Sequence, residues 1–158
     1  MPQSGANKPL ELEAKKYAAI FKGPEHDVLD RFFGAAQAYS ADIVMRITGD
    51  CPLISPPLCG SVLAALTRKR VDYASNIEPR TFPKGLDCEA FTFEALTKAH
   101  KLCVDREHVT TWMRKHVKRT NVANNWPIDG RLCLDTEDDY KVICAAFGHE
   151  PYSSLRAA

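Results

Sequence analysis

The sequence predicts an α/β fold, in which helices cover a layered β-sheet. Short apolar runs typical of strands alternate along the chain with segments whose apolar residues recur at helical spacing. The run Ile-Val-Met-Arg-Ile at 43–47 is mostly apolar and β-branched, which is typical of a strand covered on both faces. We expect a single domain at 9–148, with a flexible lead-in at 1–8 and a tail at 149–158.

The first forty residues contain two predicted helices and one predicted strand. Charged residues interspersed with leucines indicate an exposed helix over about 10–18. Residues 19–21 predict a brief strand, which a Gly-Pro pair ends. Behind Asp27, a predicted N-cap, apolar spacing predicts a helix over 27–39.

The central region continues the alternation of helices and strands. After the first buried strand, a helix is predicted from about Pro57 and a strand at 71–75. Residues 76–86 contain two prolines and a glycine, and they predict a loop long enough to cover a site. A strand at 87–92 and a helix at 93–104 follow.

The last third is predicted to begin with a helix over 107–117 and an extended segment at 122–126. The run Arg-Leu-Cys-Leu at 131–134 predicts a short strand. Thr136 and Asp139 have the spacing of a capping box, which predicts that the final helix starts there.

The charge and hydropathy of the chain disfavour two classes of partner. Lys and Arg number 21, Asp and Glu number 20, and the net charge is +1, so we expect no global attraction to nucleic acid or to an anionic membrane. The longest apolar runs are well short of a membrane span, and the first residues lack the basic-then-apolar pattern of a secretion leader. We therefore expect a cytoplasmic protein.

Cysteine usage bears on disulfides and on metals. The six cysteines are Cys51, Cys59, Cys88, Cys103, Cys133 and Cys144. They form no Cys-x-x-Cys pair, and most lie in apolar stretches, which favours reduced thiols in the core. Zinc is the alternative, but the five histidines do not pair with cysteines at finger spacing.

Two acidic residues, Asp50 and Asp135, lie just after predicted strands. In open α/β sheets, ligands bind beyond the carboxyl ends of the strands, so we expect both carboxylates at one edge of the sheet. Mg²⁺ prefers one or two carboxylates together with waters and phosphate oxygens, so such a pair suits nucleotide chemistry. For either aspartate alone, the alternative is a helix cap or a turn former.

Several blocks of sequence resemble those of one enzyme family. Residues 46–54, Arg-Ile-Thr-Gly-Asp-Cys-Pro-Leu-Ile, closely resemble a motif of the cytidylyltransferase-like enzymes related to spore-coat polysaccharide biosynthesis proteins and to CMP-sugar acid synthetases. Further blocks resemble the family in the family's order, at 23–32, 72–76, 79–91, 106–110 and 134–139. The resemblance covers about 10–148, and ordered blocks are more specific than any one motif.

The resemblance implies a three-layer, glycosyltransferase-A-like nucleotidyltransferase fold with a mixed sheet flanked by helices. It also implies a reaction in which a sugar-type acceptor attacks the α-phosphate of CTP and pyrophosphate leaves, as in the synthesis of surface polysaccharides. Enzymes catalyse such transfers mainly by positioning the substrates and neutralising their charge. Asp50 and Asp135 would hold Mg²⁺, and Arg46 would reach toward the nucleotide or the acceptor. The alternative for Arg46 is a pair with a neighbouring carboxylate.

The same resemblance implies a set of nucleotide- or substrate-binding positions. They are Thr48, Gly49, Pro52, Asn76, Gly85, Asp87, Glu89 and His108. Asp87 and Glu89 alternate on one predicted strand and would recognise hydroxyls or an amine of the acceptor, the alternative being an exposed polar strand face. For His108, the alternative to an acceptor contact is a histidine bonded to backbone at a helix start.

No segment before Gly23 resembles the family's first strand and its glycine-rich turn of Arg-Leu-Pro-Gly-Lys type, which surrounds the triphosphate. We therefore expect an N-terminally truncated member, inactive or weakly active alone, with an incomplete triphosphate site and a tendency to form homo-oligomers through an uncovered sheet edge. The alternative is a non-catalytic module that binds itself or a partner, and slow CMP transfer is a third possibility.

Overall fold

A four-stranded mixed β-sheet flanked by helices organises the protein, as a computed structural model describes it for residues 1–3, 8–125 and 130–148. The helices are α1 Lys8–Ala14, α2 Val28–Ala38, α3 Pro56–Lys69, α4 Phe93–Leu102, α5 Met113–His116 and α6 Glu137–Ala146. The strands are β1 Ile43–Arg46, β2 Tyr73–Ser75, β3 Glu89–Thr92 and β4 Arg119–Asn121. The predicted fold class is confirmed.

The strand order is β1-β3-β2-β4. Backbone bonds from the amide of residue 76 to the carbonyl of 88, and from that of 92 to 72, make β2 and β3 antiparallel. Bonds from the amide of residue 73 to the carbonyl of 118, and from that of 122 to 75, make β2 and β4 parallel. The sheet therefore combines both pairings.

Residues of the chain cluster into two compact units. The first contains 1–44, 71–73 and 91–119. The second contains 45–70, 74–90 and the described residues after 119. Every candidate residue except His108 belongs to the second unit.

The first unit has an apolar core built by α2 and α4. Its largest fully buried side chains include Leu29, Tyr73, Phe91 and Leu96, each at most 1% exposed. The apolar spacing that predicts these helices places their inward residues on one face. Asp27 caps α2 by accepting from the Asp30 amide at 2.7 Å.

The second unit contains α3 and α6. Buried side chains of α3, Leu58, Val62 and Leu66, lie on its inner face. At the start of α6, the predicted capping box is present: Thr136 accepts from the Asp139 amide, and the Asp139 carboxylate accepts from the Thr136 amide at 2.9 Å.

Two predicted strands are wrong. Residues 19–21 belong to none of the strands in the described part of the chain, and an isolated bridge pairs Pro2 with Gly23 just after them. The segment 131–134 has one isolated bridge, between Arg131 and Lys84, because its backbone bonds go in turn to Lys84 and to Asp50 rather than along one strand.

Two further segments differ from prediction. The helix predicted at 107–117 is regular only over Met113–His116, because the Asp105 carboxylate and the Thr111 hydroxyl bond to backbone groups just before it. In place of the extended segment predicted at 122–126, strand β4 lies earlier in the sequence, at Arg119–Asn121. Residue 126 lies outside the described residues.

The cysteines are free thiols, and five of the six are buried, as predicted. None of the described helices has the length and apolar character required to cross a bilayer. The domain boundaries remain predictions, and the proposed tail at 149–158 lies outside the described residues.

Candidate active site

The turn after β1 positions the Asp50 carboxylate. The Cys51 amide donates to the Thr48 carbonyl at 3.1 Å and closes the turn. The Thr48 hydroxyl lies 3.0 Å from the Cys51 sulfur. Hydrogen bonding from Thr48 holds the pKa of Asp50 below its usual range, against the opposing effect of burial. Asp50 is half-buried. Because its pKa is lowered, its carboxylate is ionised at neutral pH.

The segment that carries Asp135 lies directly against this turn. The Leu134 amide donates to the Asp50 carbonyl at 2.8 Å, which places residues 134 and 50 side by side. Both segments belong to the second compact unit. Two acidic residues far apart in the sequence thus come from adjoining stretches of backbone.

The Asp135 side chain is exposed and pairs with Arg131. Arg131 also contacts Asp139, whose carboxylate accepts from the Asp135 amide at 3.0 Å. The Arg131 guanidinium and the backbone amides of Asp135 and Thr136 lower the pKa of Asp139 to about 2. One arginine therefore holds two carboxylates at the start of α6.

An ion pair with a buried carboxylate supports the turn from the strand side. Arg46 donates to Glu89 at 2.6 Å, and the Glu89 side chain is 1% exposed against 24% for Arg46. The carboxylate pairing considered as the alternative for Arg46 is therefore present. The exposed strand face considered for Glu89 is wrong, because a partner on the neighbouring strand allows its charge to be buried.

Asp87 is half-buried and lies just before β3. Arg80 holds it through two bonds of 2.7 and 2.8 Å, in the fork geometry that favours arginine. Asp87 and Glu89 thus have different arginine partners. Sequence reasoning did not single out Arg80, and its position in a proline-rich loop gives no periodic signal.

Backbone requirements explain two of the candidate positions. Asn76 is fully buried, donates to the Leu86 carbonyl at 2.7 Å and accepts from the Cys88 amide at 2.9 Å, so it fixes the ends of the 76–86 loop. Gly85 has φ of 98°, and a Cβ there would lie 2.3 Å from the Leu132 carbonyl carbon. This close approach brings the loop to the segment that carries Asp135.

The remaining candidates differ in exposure. Gly49 is exposed with open space around it, and Pro52 is half-buried. His108 belongs to the first unit and is exposed, and its ring and its amide both bond to Asp105. The alternative for His108 is a hydrogen bond to backbone, whereas the structure gives its ring the Asp105 carboxylate as a partner.

Two cysteines lie beside Asp50. The sulfurs of Cys51 and Cys133 and a carboxylate oxygen of Asp50 all lie within 4.8 Å of one another. Burial raises the pKa of both thiols, and the Asp50 charge adds to the effect. The cysteine and histidine spacing typical of zinc fingers does not predict this cluster, because its two cysteines come from separate segments of the chain.

A cytidylyltransferase family model matches residues 11–142, and the chain belongs to that family. It is 38% identical over 132 residues to an uncharacterized protein of Methanocaldococcus jannaschii, covering 78% of this chain and 53% of that protein. It is 28% identical over 138 residues to the spore coat polysaccharide biosynthesis protein SpsF of Bacillus subtilis, covering 81% and 56%. The chain spans about half the length of these curated relatives.

A solved structure has the same fold. The structure of a cytidylyltransferase from Leptospira borgpetersenii serovar Hardjo-bovis superposes with a TM-score of 0.87 at 29% identity. The match covers 92% of this chain and 66% of that one. The family resemblance of the ordered sequence blocks is thereby confirmed.

Proposed function

We propose that this protein binds CTP and transfers its cytidylyl group to a sugar-type acceptor. Family membership supports the nucleotide, and the name of the SpsF relative supports a role in polysaccharide synthesis. The observation that carries the proposal is the bond from the Leu134 amide to the Asp50 carbonyl, which sets the Asp50 and Asp135 segments side by side. Two carboxylates carried by adjoining segments suit a metal-assisted phosphoryl site.

The proposed reaction exchanges one phosphorus–oxygen bond for another. A hydroxyl oxygen of the acceptor attacks the α-phosphorus of CTP, and the bond between that phosphorus and the oxygen bridging to the β-phosphate breaks. CMP stays on the acceptor, pyrophosphate leaves, and the hydroxyl proton passes to solvent. The chain contributes mainly position and charge to such a transfer.

The residues present fit Mg²⁺ as the assisting ion. Both aspartates offer oxygen ligands, which Mg²⁺ prefers, and two protein carboxylates leave positions for waters and phosphate oxygens. Bound Mg²⁺ would supply charge neutralisation to the phosphates. Asp135 would exchange its contact with Arg131 for the ion, which is feasible because this ion pair is exposed.

The neighbouring ion pairs suggest how the other candidates act. Arg46 is held by Glu89, so we assign that pair to positioning the turn that carries Thr48, Gly49 and Asp50. Asp87 is more accessible, and we assign it with Arg80 to the acceptor hydroxyls. Asn76 and Gly85 then act by shaping the loop.

Calorimetry of CTP binding with and without Mg²⁺, together with a pyrophosphate-release assay, tests this function. We expect Mg²⁺-dependent binding that weakens at least tenfold in Asp50→Ala and Asp135→Ala. Asp138→Ala is the matched control, because it removes an exposed acid in the first turn of α6, the helix that directly follows the Asp135 segment. Equal binding by all three variants would contradict the assignment.

A second candidate is a self-associating module. β1 is an edge strand of the four-stranded sheet, and Ile43 at its start is 37% exposed. Edge strands pair readily with other chains. A dimer by light scattering that Ile43→Lys dissociates, in a protein that binds no CTP, would favour this candidate over cytidylyl transfer.

A further inference from the structure

We propose that Cys51, Cys133 and Asp50 form a binding site for a thiophilic divalent metal of the Zn²⁺ class. The site differs in ligand chemistry from the magnesium site, although the two share Asp50. Its existence does not depend on the proposed function.

The geometry of the three groups is close to that of a coordination sphere. Their ligand atoms lie within 4.8 Å of one another. Zinc binds sulfur at about 2.3 Å, so two sulfurs on one tetrahedral zinc lie roughly 3.8 Å apart. The cluster needs to contract by about 1 Å at most, which small rotations of side chains provide.

The backbone holds these ligands together before any metal binds. Cys51 follows Asp50 in a turn closed by its own amide, and Cys133 precedes Leu134, whose amide bonds to the Asp50 carbonyl. The cysteines are 3% and 9% exposed. Little order has to be gained on binding, and the surrounding protein shields the sulfurs from water.

Charge in the vicinity favours a bound cation with two thiolates. The metal displaces one proton from each thiol, and two thiolates with a carboxylate then carry three negative charges against two positive ones. Arg46 and Arg131 also act electrostatically on Asp50 and Cys133, but other carboxylates already pair with both arginines, so the surroundings stay attractive to a cation.

The donor set selects the metal. Thiolate sulfur prefers Zn²⁺ and its heavier relatives, whereas Mg²⁺ prefers oxygen alone. Three protein ligands also leave one of four tetrahedral positions for water or another small ligand. If the proposed function holds, the thiophilic metal removes Asp50 from Mg²⁺ and lowers Mg²⁺-dependent CTP binding.

Cadmium titration of the reduced 158-residue chain in excess Mg²⁺ tests the site directly. We expect one equivalent to bind with the ultraviolet charge-transfer band of cadmium bound to sulfur, with release of two protons. Cys51→Ser and Cys133→Ser should each weaken binding at least tenfold and diminish the band, while circular dichroism confirms that both variants fold. Zn²⁺ should compete with cadmium for this site.

Two matched controls separate this site from other thiols. Cys144→Ser removes a buried cysteine on α6 outside the cluster, and Cys59→Ser removes a buried cysteine that contacts Cys88. Both should retain the band and the affinity. Loss of the band in either control, its retention in Cys51→Ser and Cys133→Ser, or its absence from the wild-type protein would overturn the proposal.

A third variant separates the metal site from the proposed function. Asp135→Asn should retain cadmium binding while losing Mg²⁺-dependent CTP binding. Cadmium binding without any CTP binding would support the thiol site and contradict cytidylyl transfer. CTP binding without a cadmium band would support cytidylyl transfer and contradict the thiol site.

Discussion

Two arginine–carboxylate groups in the second unit differ mainly in burial. Arg46 and Glu89 pair at 2.6 Å with the carboxylate 1% exposed, whereas Arg131 holds the exposed Asp135 and the half-buried Asp139 in a more exposed cluster. A charge buried in protein requires its partner, while an exposed charge can exchange its partner for water or an ion. The buried pair is therefore suited to holding a turn in place, and the exposed cluster is suited to releasing a ligand.

Removing Arg46, the partner of the buried Glu89, should have the largest effect. Arg46→Ala removes the 2.6 Å ion pair from the buried Glu89 carboxylate, and we expect the free energy of unfolding to fall by about 3 kcal/mol. Urea unfolding measures the change. Arg46→Lys, which retains the charge, should lose less, and a stability loss as small as that of Arg131→Ala would contradict the distinction between the two groups.

A substitution at Gly85 should have the next largest effect. An added Cβ would lie 2.3 Å from the Leu132 carbonyl carbon, at a φ of 98° that side chains disfavour. We expect Gly85→Ala to cost at least about 2 kcal/mol of unfolding free energy and to displace the segment that carries Asp135. Gly60→Ala is the control, because a Cβ at this helical glycine meets nothing within 4 Å. Equal stability of the two variants would contradict the close approach.

Acid titration of the exposed cluster should give the smallest effect. The pKa of Asp139 is about 2 in the folded protein, below its ordinary value of 3.8, so this group favours the folded state above pH 4. Its contribution should be lost as the pH falls from about 4 to 2. In Arg131→Gln, carboxyl NMR should find the pKa of Asp139 raised toward its ordinary value. The control is Lys141→Gln, which removes an exposed cation that pairs with Asp138. This variant should leave the pKa of Asp139 unchanged.

Local patterns were sufficient to predict most of the helices. The apolar spacing of α2 and α4 and the capping box of α6 depend on residues within one or two turns, so the sequence expresses them directly. The 131–134 strand was predicted wrongly because its apolar residues suit a strand, while its backbone partners are scattered. Periodicity does not report such nonlocal partners.

The rule that ligands bind beyond strand ends led to both Asp50 and Asp135, but only Asp50 follows a strand of the sheet, β1. The Asp135 segment lies beside Asp50 because the Leu134 amide bonds to the Asp50 carbonyl, not because a strand ends there. The roles assigned to them remain predictions. The approach of Cys133 to Cys51 depends on how distant segments pack, which spacing in the sequence does not encode.

The bond between the Leu134 amide and the Asp50 carbonyl has an evolutionary consequence. It joins main-chain atoms, and the Leu134 side chain is itself exposed. Position 134 can therefore accept almost any amino acid during divergence without altering the spacing of the neighbouring acids. Proline alone lacks the amide hydrogen, so we expect homologues to vary freely there but to avoid that one residue.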